Sequence, residues 1–126
     1  MSGSLLDSNV VILQLRREPW AVAHMPRWTE EGGFISVVTR TEVLAGTHPH
    51  EEARTSELLL SLTSLPVTAQ VADQAGRWIY QYARRGVHLS FPDALIAATA
   101  VAYDLTLITT NGKHFPIPEL RVDGLT

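Results

Sequence analysis

The sequence predicts a single α/β domain in which a parallel sheet carries helices on both faces. Short β-branched runs alternate along the chain with stretches of helical periodicity. No apolar run approaches the ~20 residues that a membrane span needs. The length of 126 residues is that of one domain, so we expect residues 1–126 to form one unit.

The composition narrows the class of protein. The chain carries 13 acidic and 10 basic residues, and its net charge of −3 argues against binding a polyanion through overall charge. It has no cysteine, so structural disulfides and thiolate metal sites are excluded and a reducing compartment is favoured. The first residues include no basic segment and reach an acid at Asp7, so we expect no signal peptide. We therefore expect a soluble cytoplasmic protein that does not bind membranes.

The first half of the chain is predicted to run from strand to helix twice. Its elements are a strand at 5–7, helices at 8–17 and 20–31, a strand at 34–38 and a helix at 39–46. Asp7 falls at the carboxyl end of the first strand. Pro26 is expected to kink or divide the second helix. Thr39 and Glu42 form a capping-box pattern that would begin the third helix, which Gly46 ends.

The second half continues the alternation. Its elements are a helix at 51–63, an edge strand at 65–67, a helix from the Thr68 cap to Gly86, a helix at 92–103, and strands at 105–109 and 120–122. Pro92 suits a first helical position because its missing N–H would have no partner there. Asp93 then lies in the first turn, where the helix dipole favours a negative charge. The residues after Asp93 are small and apolar, so this helix is expected to be buried on several sides.

Four polar residues are predicted to meet at one edge of the sheet, because ligands of open parallel sheets bind at the carboxyl ends of the strands. They are Asp7, Glu42, Asp93 and Asn111. Taken singly, each has a simpler interpretation. Asp93 complements a helix dipole, Glu42 serves the capping box, and the other two are turn or cap residues. Their joint placement at one edge is harder to explain by capping.

Carboxylates crowded at this edge would repel one another. Two like charges about 4 Å apart cost about 4 kcal/mol at an effective dielectric constant of about 20. A divalent cation removes that cost, and hard cations such as Mg²⁺ and Mn²⁺ prefer oxygen ligands. Such a cation also lowers the pKa of an attacking water and neutralises charge on phosphate oxygens. The arrangement therefore indicates metal-assisted hydrolysis of a phosphodiester.

Four segments in this order carry a family resemblance. They are residues 5–9 (LLDSN), 36–46 (SVVTRTEVLAG), 93–100 (DALIAATA) and 107–115 (LITTNGKHF). Through them the chain resembles the PIN-domain family of metal-dependent nucleases and, more closely, the toxin ribonucleases of VapBC-type toxin–antitoxin modules. The resemblance extends over nearly the whole chain and implies a three-layer α/β/α fold with a central parallel sheet.

The resemblance also implies roles for individual residues. Asp7, Glu42 and Asp93 would be the metal-binding acids, and Asn111 falls where the family has a fourth acid or an asparagine. The implied activity is an endoribonuclease that uses Mg²⁺ or Mn²⁺, forms a homodimer and is neutralised by a cognate antitoxin protein. Beside these residues we expect three further contributors. The hydroxyls of Ser8 and Thr110 would orient the ligands, and Lys113 would reach a substrate phosphate.

Two alternatives stay open at this point. A phospho-acceptor receiver domain is also a small parallel α/β protein with Mg²⁺ at a sheet edge, but it needs an acidic pair after the first strand, and Asp7 is followed by Ser8. The second alternative is a catalytically weak or inactive PIN fold that binds RNA or protein. The amide of Asn111 in place of an acid leaves that interpretation possible.

Asn111 gives the site one negative charge fewer than a site with four acids. We therefore predict that Asn111→Asp raises the affinity for Mg²⁺ or Mn²⁺, because divalent cations bind carboxylates more strongly than neutral amides. Isothermal titration of each ion into the wild-type and variant proteins measures this. An affinity that stays unchanged or falls in the variant would contradict the prediction.

Overall fold

A five-stranded sheet forms the centre of the computed structural model, which describes residues 3–30 and 32–124. Its strands are β1 (Ser4–Leu6), β2 (Gly33–Ser36), β3 (Thr63–Leu65), β4 (Thr106–Thr109) and β5 (Val122–Gly124). The order across the sheet is β3-β2-β1-β4-β5, and all four pairings are parallel. The predicted parallel sheet is therefore confirmed, with β1 at its centre.

Helices cover both faces of the sheet. They are α1 (Ser8–Leu15), α2 (Pro19–Glu30), α3 (Val37–Ala45), α4 (Glu52–Ser61), α5 (Ala69–Ala83) and α6 (Phe91–Ala102), with 3₁₀ turns at Pro49–Glu51 and Gly112–His114. Within the described part of the chain, none of these helices combines the length and apolar character that a membrane crossing requires.

The side chains of the central strands point alternately to the two faces of the sheet, and this alternation produces the three layers. Leu5 and Leu107 point to one side, where they pack with the buried faces of α5 and α6. Leu6 and Ile108 point to the other side, toward buried residues of α1 to α4. Successive side chains of a strand face opposite sides, so each central strand contributes to two cores. The α/β/α architecture is thus confirmed.

The start of α3 differs from the prediction. The chain leaves the sheet at Ser36, two residues earlier than predicted, and the Ser36 Oγ accepts a hydrogen bond of 3.0 Å from the N–H of Val38. Ser36 is therefore the N-cap, and the Thr39–Glu42 capping box is wrong. Thr39 is instead fully buried within the helix, and its hydroxyl has no partner among the described residues. Burial of this face overrides the strand preference of Val37 and Val38.

Smaller differences concern element boundaries. The helix α2 continues through Pro26, so of the two expected effects, a kink or a division, the division is wrong. Its predicted last residue, Glu31, lies outside the described residues. The edge strand forms two residues earlier than predicted and the last strand two residues later. Ser90 caps α6, so Pro92 is its second residue rather than its first.

The two residues that compete for the role of α3 cap give a paired stability test. We predict that Ser36→Ala lowers the free energy of unfolding by about 1 kcal/mol, because it removes the acceptor for the Val38 N–H. Thr39→Val should leave that free energy unchanged or raise it, since it replaces a buried hydroxyl without a partner by a methyl group of similar size. Urea unfolding of both variants measures the difference. A larger loss for Thr39→Val than for Ser36→Ala would contradict this assignment.

Candidate functional site

Asp7 lies at the junction of the central strand and the first helix. It directly follows β1, and as the N-cap of α1 it accepts a hydrogen bond of 2.8 Å at Oδ1 from the N–H of Ser8. The residue is only 6 % exposed. The positive end of the α1 dipole stabilises a negative charge at this position. The fold therefore holds a carboxylate in place at the carboxyl edge of the sheet.

A threonine of the neighbouring strand anchors the second oxygen of Asp7. The Thr109 hydroxyl donates to Asp7 Oδ2 over 2.7 Å, and the same hydroxyl oxygen accepts the N–H of Asn111 over 3.0 Å. Leu6 pairs with Ile108 in the parallel register, so the next residue of each strand meets at the sheet edge. Asn111 is thereby connected to Asp7 through its backbone and Thr109.

Thr109 is a site residue that sequence reasoning missed. The prediction selected its neighbour Thr110, which is half-buried, while Thr109 is fully buried and makes the contact to Asp7. Both are threonines at the end of a β-branched run, so composition does not distinguish them. Only the register between β1 and β4 identifies which hydroxyl reaches the carboxylate.

Asp93 occupies the third position of α6, in the first turn as predicted. Its N–H donates to the Ser90 Oγ over 3.2 Å. Burial raises the pKa of the Asp93 carboxyl above its ordinary value, and a side-chain hydrogen bond with Ser90 opposes that rise. The negative charge of Asp7 raises the pKa of Asp93 further, while His114 lowers it. Asp93 therefore lies within electrostatic reach of both Asp7 and His114.

Glu42 joins the site through Ser8. It is the sixth residue of α3 rather than the start of that helix, and its Oε1 accepts a hydrogen bond of 2.5 Å from the Ser8 hydroxyl. The Ser8 hydroxyl thus contacts a candidate ligand, and its role in orienting that ligand stays a prediction. Ser8 therefore contacts two candidate acids, Asp7 through its backbone N–H and Glu42 through its side chain.

The predicted residues thus converge to different degrees. Asp7 and Asp93 interact electrostatically, and Glu42 and Asn111 are connected to Asp7 through one intermediate residue each. Lys113 is exposed in the 3₁₀ turn directly after Asn111. Among residues 3–30 and 32–124, no three His, Cys, Asp or Glu side chains form a group that could hold a metal ion as they stand. The carboxylate and amide oxygens of these residues are the donor types that a hard cation prefers.

Comparison with known families matches residues 4–118 to the PIN domain. The chain therefore belongs to the PIN domain family. Among its relatives, ribonuclease VapC10 of Mycobacterium tuberculosis is 36 % identical over 116 residues, covering 91 % of this chain and 87 % of the relative. A toxin–antitoxin complex from Klebsiella pneumoniae contains a chain with 30 % identity and a TM-score of 0.80, with 94 % of this chain and 95 % of that chain covered.

A third relative supports the fold alone. The DNA-bound VapBC structure from Salmonella typhimurium contains a chain with a TM-score of 0.86 and 24 % identity, and 98 % of each chain is covered. The PIN domain match includes Asp7, Glu42, Asp93 and Asn111 within its bounds. The match and the solved structures together place the sheet edge described above in a PIN fold.

The raised pKa of Asp93 gives a pH-dependent stability prediction. The folded protein holds this proton more tightly than the unfolded chain, so the contribution of Asp93 to stability falls as the pH rises from its ordinary pKa of 3.8 through the raised value. We predict that Asp93→Asn removes this loss, so that in EDTA the variant is more stable than the wild type at pH 7. Its advantage should shrink as the pH falls toward 4.

Unfolding by urea across this pH range, with EDTA present, measures the difference between the two proteins. The exposed Asp73 on α5 provides the matched control. The free energy of unfolding of Asp73→Asn should equal that of the wild type at every pH. A wild type that is more stable than Asp93→Asn at pH 7 in EDTA would refute the prediction.

Proposed function

We propose that this chain is an endoribonuclease toxin of a toxin–antitoxin pair, that it cleaves RNA with the help of Mg²⁺ or Mn²⁺, and that a cognate antitoxin protein neutralises it. The proposal joins the family of the chain to the chemistry of its sheet edge. Named relatives include ribonuclease VapC10 and a chain of a toxin–antitoxin complex. The rest of the support comes from the residues themselves.

The observation that carries the proposal is the hydrogen-bonded, buried carboxylate of Asp7 at the carboxyl end of β1, with Asp93 in the first turn of α6. Each carboxylate is at the N-terminal end of a different helix, and each is attached to the fold by a hydrogen bond with a serine or threonine. Helix capping alone does not require that two such acids lie near each other. A divalent cation between them would offset their repulsion.

The residues of the candidate site would have the following roles. Asp7 and Asp93 would hold the cation, with Glu42 as the third acidic ligand and Asn111 contributing a neutral oxygen. When bound, the cation would lower the pKa of the attacking water and neutralise charge on the phosphate oxygens. Thr109 and Ser8 would keep the carboxylates oriented, since each donates to one of them. Lys113 lies close behind Asn111 and would contact a substrate phosphate.

The proposed partners follow from the same family. We propose that the protein acts in the cytoplasm as a homodimer and binds an antitoxin encoded beside it. Light scattering of the purified protein tests the dimer. A short neighbouring reading frame with a DNA-binding N-terminus would support the pairing, and co-expression of both chains should yield a stable complex that does not cleave RNA.

Cleavage assays with two paired variants test the catalytic assignment. We predict that Asp7→Asn and Asp93→Asn each lower the rate of RNA cleavage in Mg²⁺ or Mn²⁺ by on the order of 100-fold or more, because each removes a charge that holds the cation. EDTA should abolish cleavage by the wild-type protein. Gel analysis of labelled transfer RNA and ribosomal RNA fragments measures the rates.

The control is again Asp73→Asn, which removes an exposed acid near the start of α5 and should cleave at the wild-type rate. Equal residual cleavage by the wild type, Asp7→Asn and Asp93→Asn would refute the nuclease proposal. If the same proteins still bound RNA, that result would favour a PIN fold that acts as a binding module.

A further inference from the structure

Phe91 is an exposed aromatic residue at the candidate site. It is the first residue of α6, only two positions before Asp93, and it is 71 % exposed. Helix formation does not require a phenylalanine here, because Ser90 provides the cap and Pro92 suits the first turn. A large aromatic ring is thus exposed to solvent directly beside a candidate site residue.

The loop before Phe91 lies at the same end of the domain. Residues 84–90 connect the end of α5 to the start of α6, and the two helices pack against each other. The Tyr82 hydroxyl donates to the carbonyl of Pro116 over 2.9 Å, which ties the end of α5 to the segment that follows Lys113 and His114. The connection therefore borders the region where Asp93 and His114 interact.

This stretch is basic within an acidic protein. Residues 84–92 contain two arginines and one histidine and no acid, while the whole chain has a net charge of −3. Arg84 and Arg85 are exposed at the end of α5. The Arg84 guanidinium lies 5.5 Å from the centre of the exposed Tyr80 ring and donates to the Tyr80 hydroxyl over 3.2 Å. This pairing restrains the guanidinium while leaving it accessible to an anion.

We propose that Phe91 is a stacking platform for a base of the bound RNA strand, and that Arg84 and Arg85 contact the phosphates beside that base. The inference rests on the proposed nuclease function and names how the substrate is held. An aromatic face stacks on any nucleobase, and arginines neutralise the backbone, which is the combination that binds single-stranded nucleic acid. An exposed ring beside exposed arginines matches a ligand that carries both bases and phosphates, so we assign this surface to RNA.

Binding measured without cleavage tests the stacking role. In EDTA, the affinity for a fluorescently labelled single-stranded RNA of about a dozen nucleotides should fall roughly tenfold in Phe91→Ala. Phe91→Leu, which keeps an apolar side chain but no ring, should show a similar loss. Phe91→Tyr and Phe91→Trp should restore binding. Fluorescence anisotropy measures all of these affinities.

Tyr103 provides the matched control. It is an aromatic residue that is 40 % exposed at the opposite end of the same helix, roughly 18 Å away along the axis. Tyr103→Ala should bind RNA as the wild type does. In cleavage assays with Mg²⁺ or Mn²⁺, Phe91→Ala should raise KM by about the factor by which the affinity falls and change kcat far less.

The salt dependence of binding tests the arginines separately. In the double variant that carries both Arg84→Gln and Arg85→Gln, the logarithm of the RNA-binding constant should fall less steeply with the logarithm of the salt concentration. The slope should become shallower by about 0.7 for each phosphate that the protein no longer neutralises. Phe91→Ala should keep the wild-type slope, because stacking releases no counterions. An unchanged slope in the double variant would overturn the assignment of these arginines to substrate phosphates.

Three outcomes separate this inference from the proposed function. A wild-type protein that binds RNA in EDTA but cleaves none with either metal refutes the nuclease proposal and leaves the stacking test in force. Wild-type cleavage together with equal RNA affinity for Phe91→Ala and Tyr103→Ala overturns the inference alone. A Phe91→Ala variant with unchanged RNA affinity but an altered oligomeric mass or weaker antitoxin binding also overturns it, and assigns Phe91 to a protein interface.

Discussion

The hydrogen bonds to the Asp7 carboxylate are the interactions on which the candidate site depends. One oxygen is bound by the backbone at the start of α1 and the other by Thr109 at the end of β4. The position of the carboxylate therefore depends on two neighbouring strands and one helix. A slip of β4 against β1 by one residue would turn Thr109 away and reverse the face of every side chain on that strand. The two cores that fix this register, one containing Leu107 and the other Ile108, thus also fix the site.

At Asp93, the packing of α6 and the electrostatics of the carboxylate oppose each other. The small residues of α6 are almost completely buried against α5 and the sheet, which brings the first turn of α6 toward Asp7. The same approach partly desolvates Asp93 and exposes it to a like charge, and both effects raise its pKa. The helix dipole and Ser90 reduce this cost without removing it. Two carboxylates held near each other in this way are better suited to a bound cation than to remaining free, because a cation would replace their mutual repulsion by attraction to its charge.

The layer architecture and the placement of Asp7 and Asp93 could be predicted from the sequence, because strand alternation and helix-start preferences are local. The role of Thr109 could not, since it depends on the register between strands that are distant in the chain. The start of α3 was mispredicted for a related reason. Val37 and Val38 favour a strand locally, but the Ser36 cap and the burial of Thr39 and Val43 favour a helix. The pattern Ser90-x-x-Asp93 is typical of a capping arrangement and would have located the start of α6 correctly.

An acidic site that acts on a polyanion must overcome two repulsions, one among its own carboxylates and one between them and the substrate. A cation between Asp7 and Asp93 would offset the first repulsion and would attract only the phosphate that it contacts. The neighbouring phosphates along the strand still meet a protein with a net charge of −3. In the proposed binding mode, Arg84 and Arg85 would neutralise some of these phosphates, and Phe91 would add an attraction that does not depend on charge. Stacking is insensitive to salt, whereas phosphate contacts weaken as salt rises. In the proposed binding mode, an aromatic platform would therefore help an acidic nuclease to hold RNA at the ionic strength of the cell.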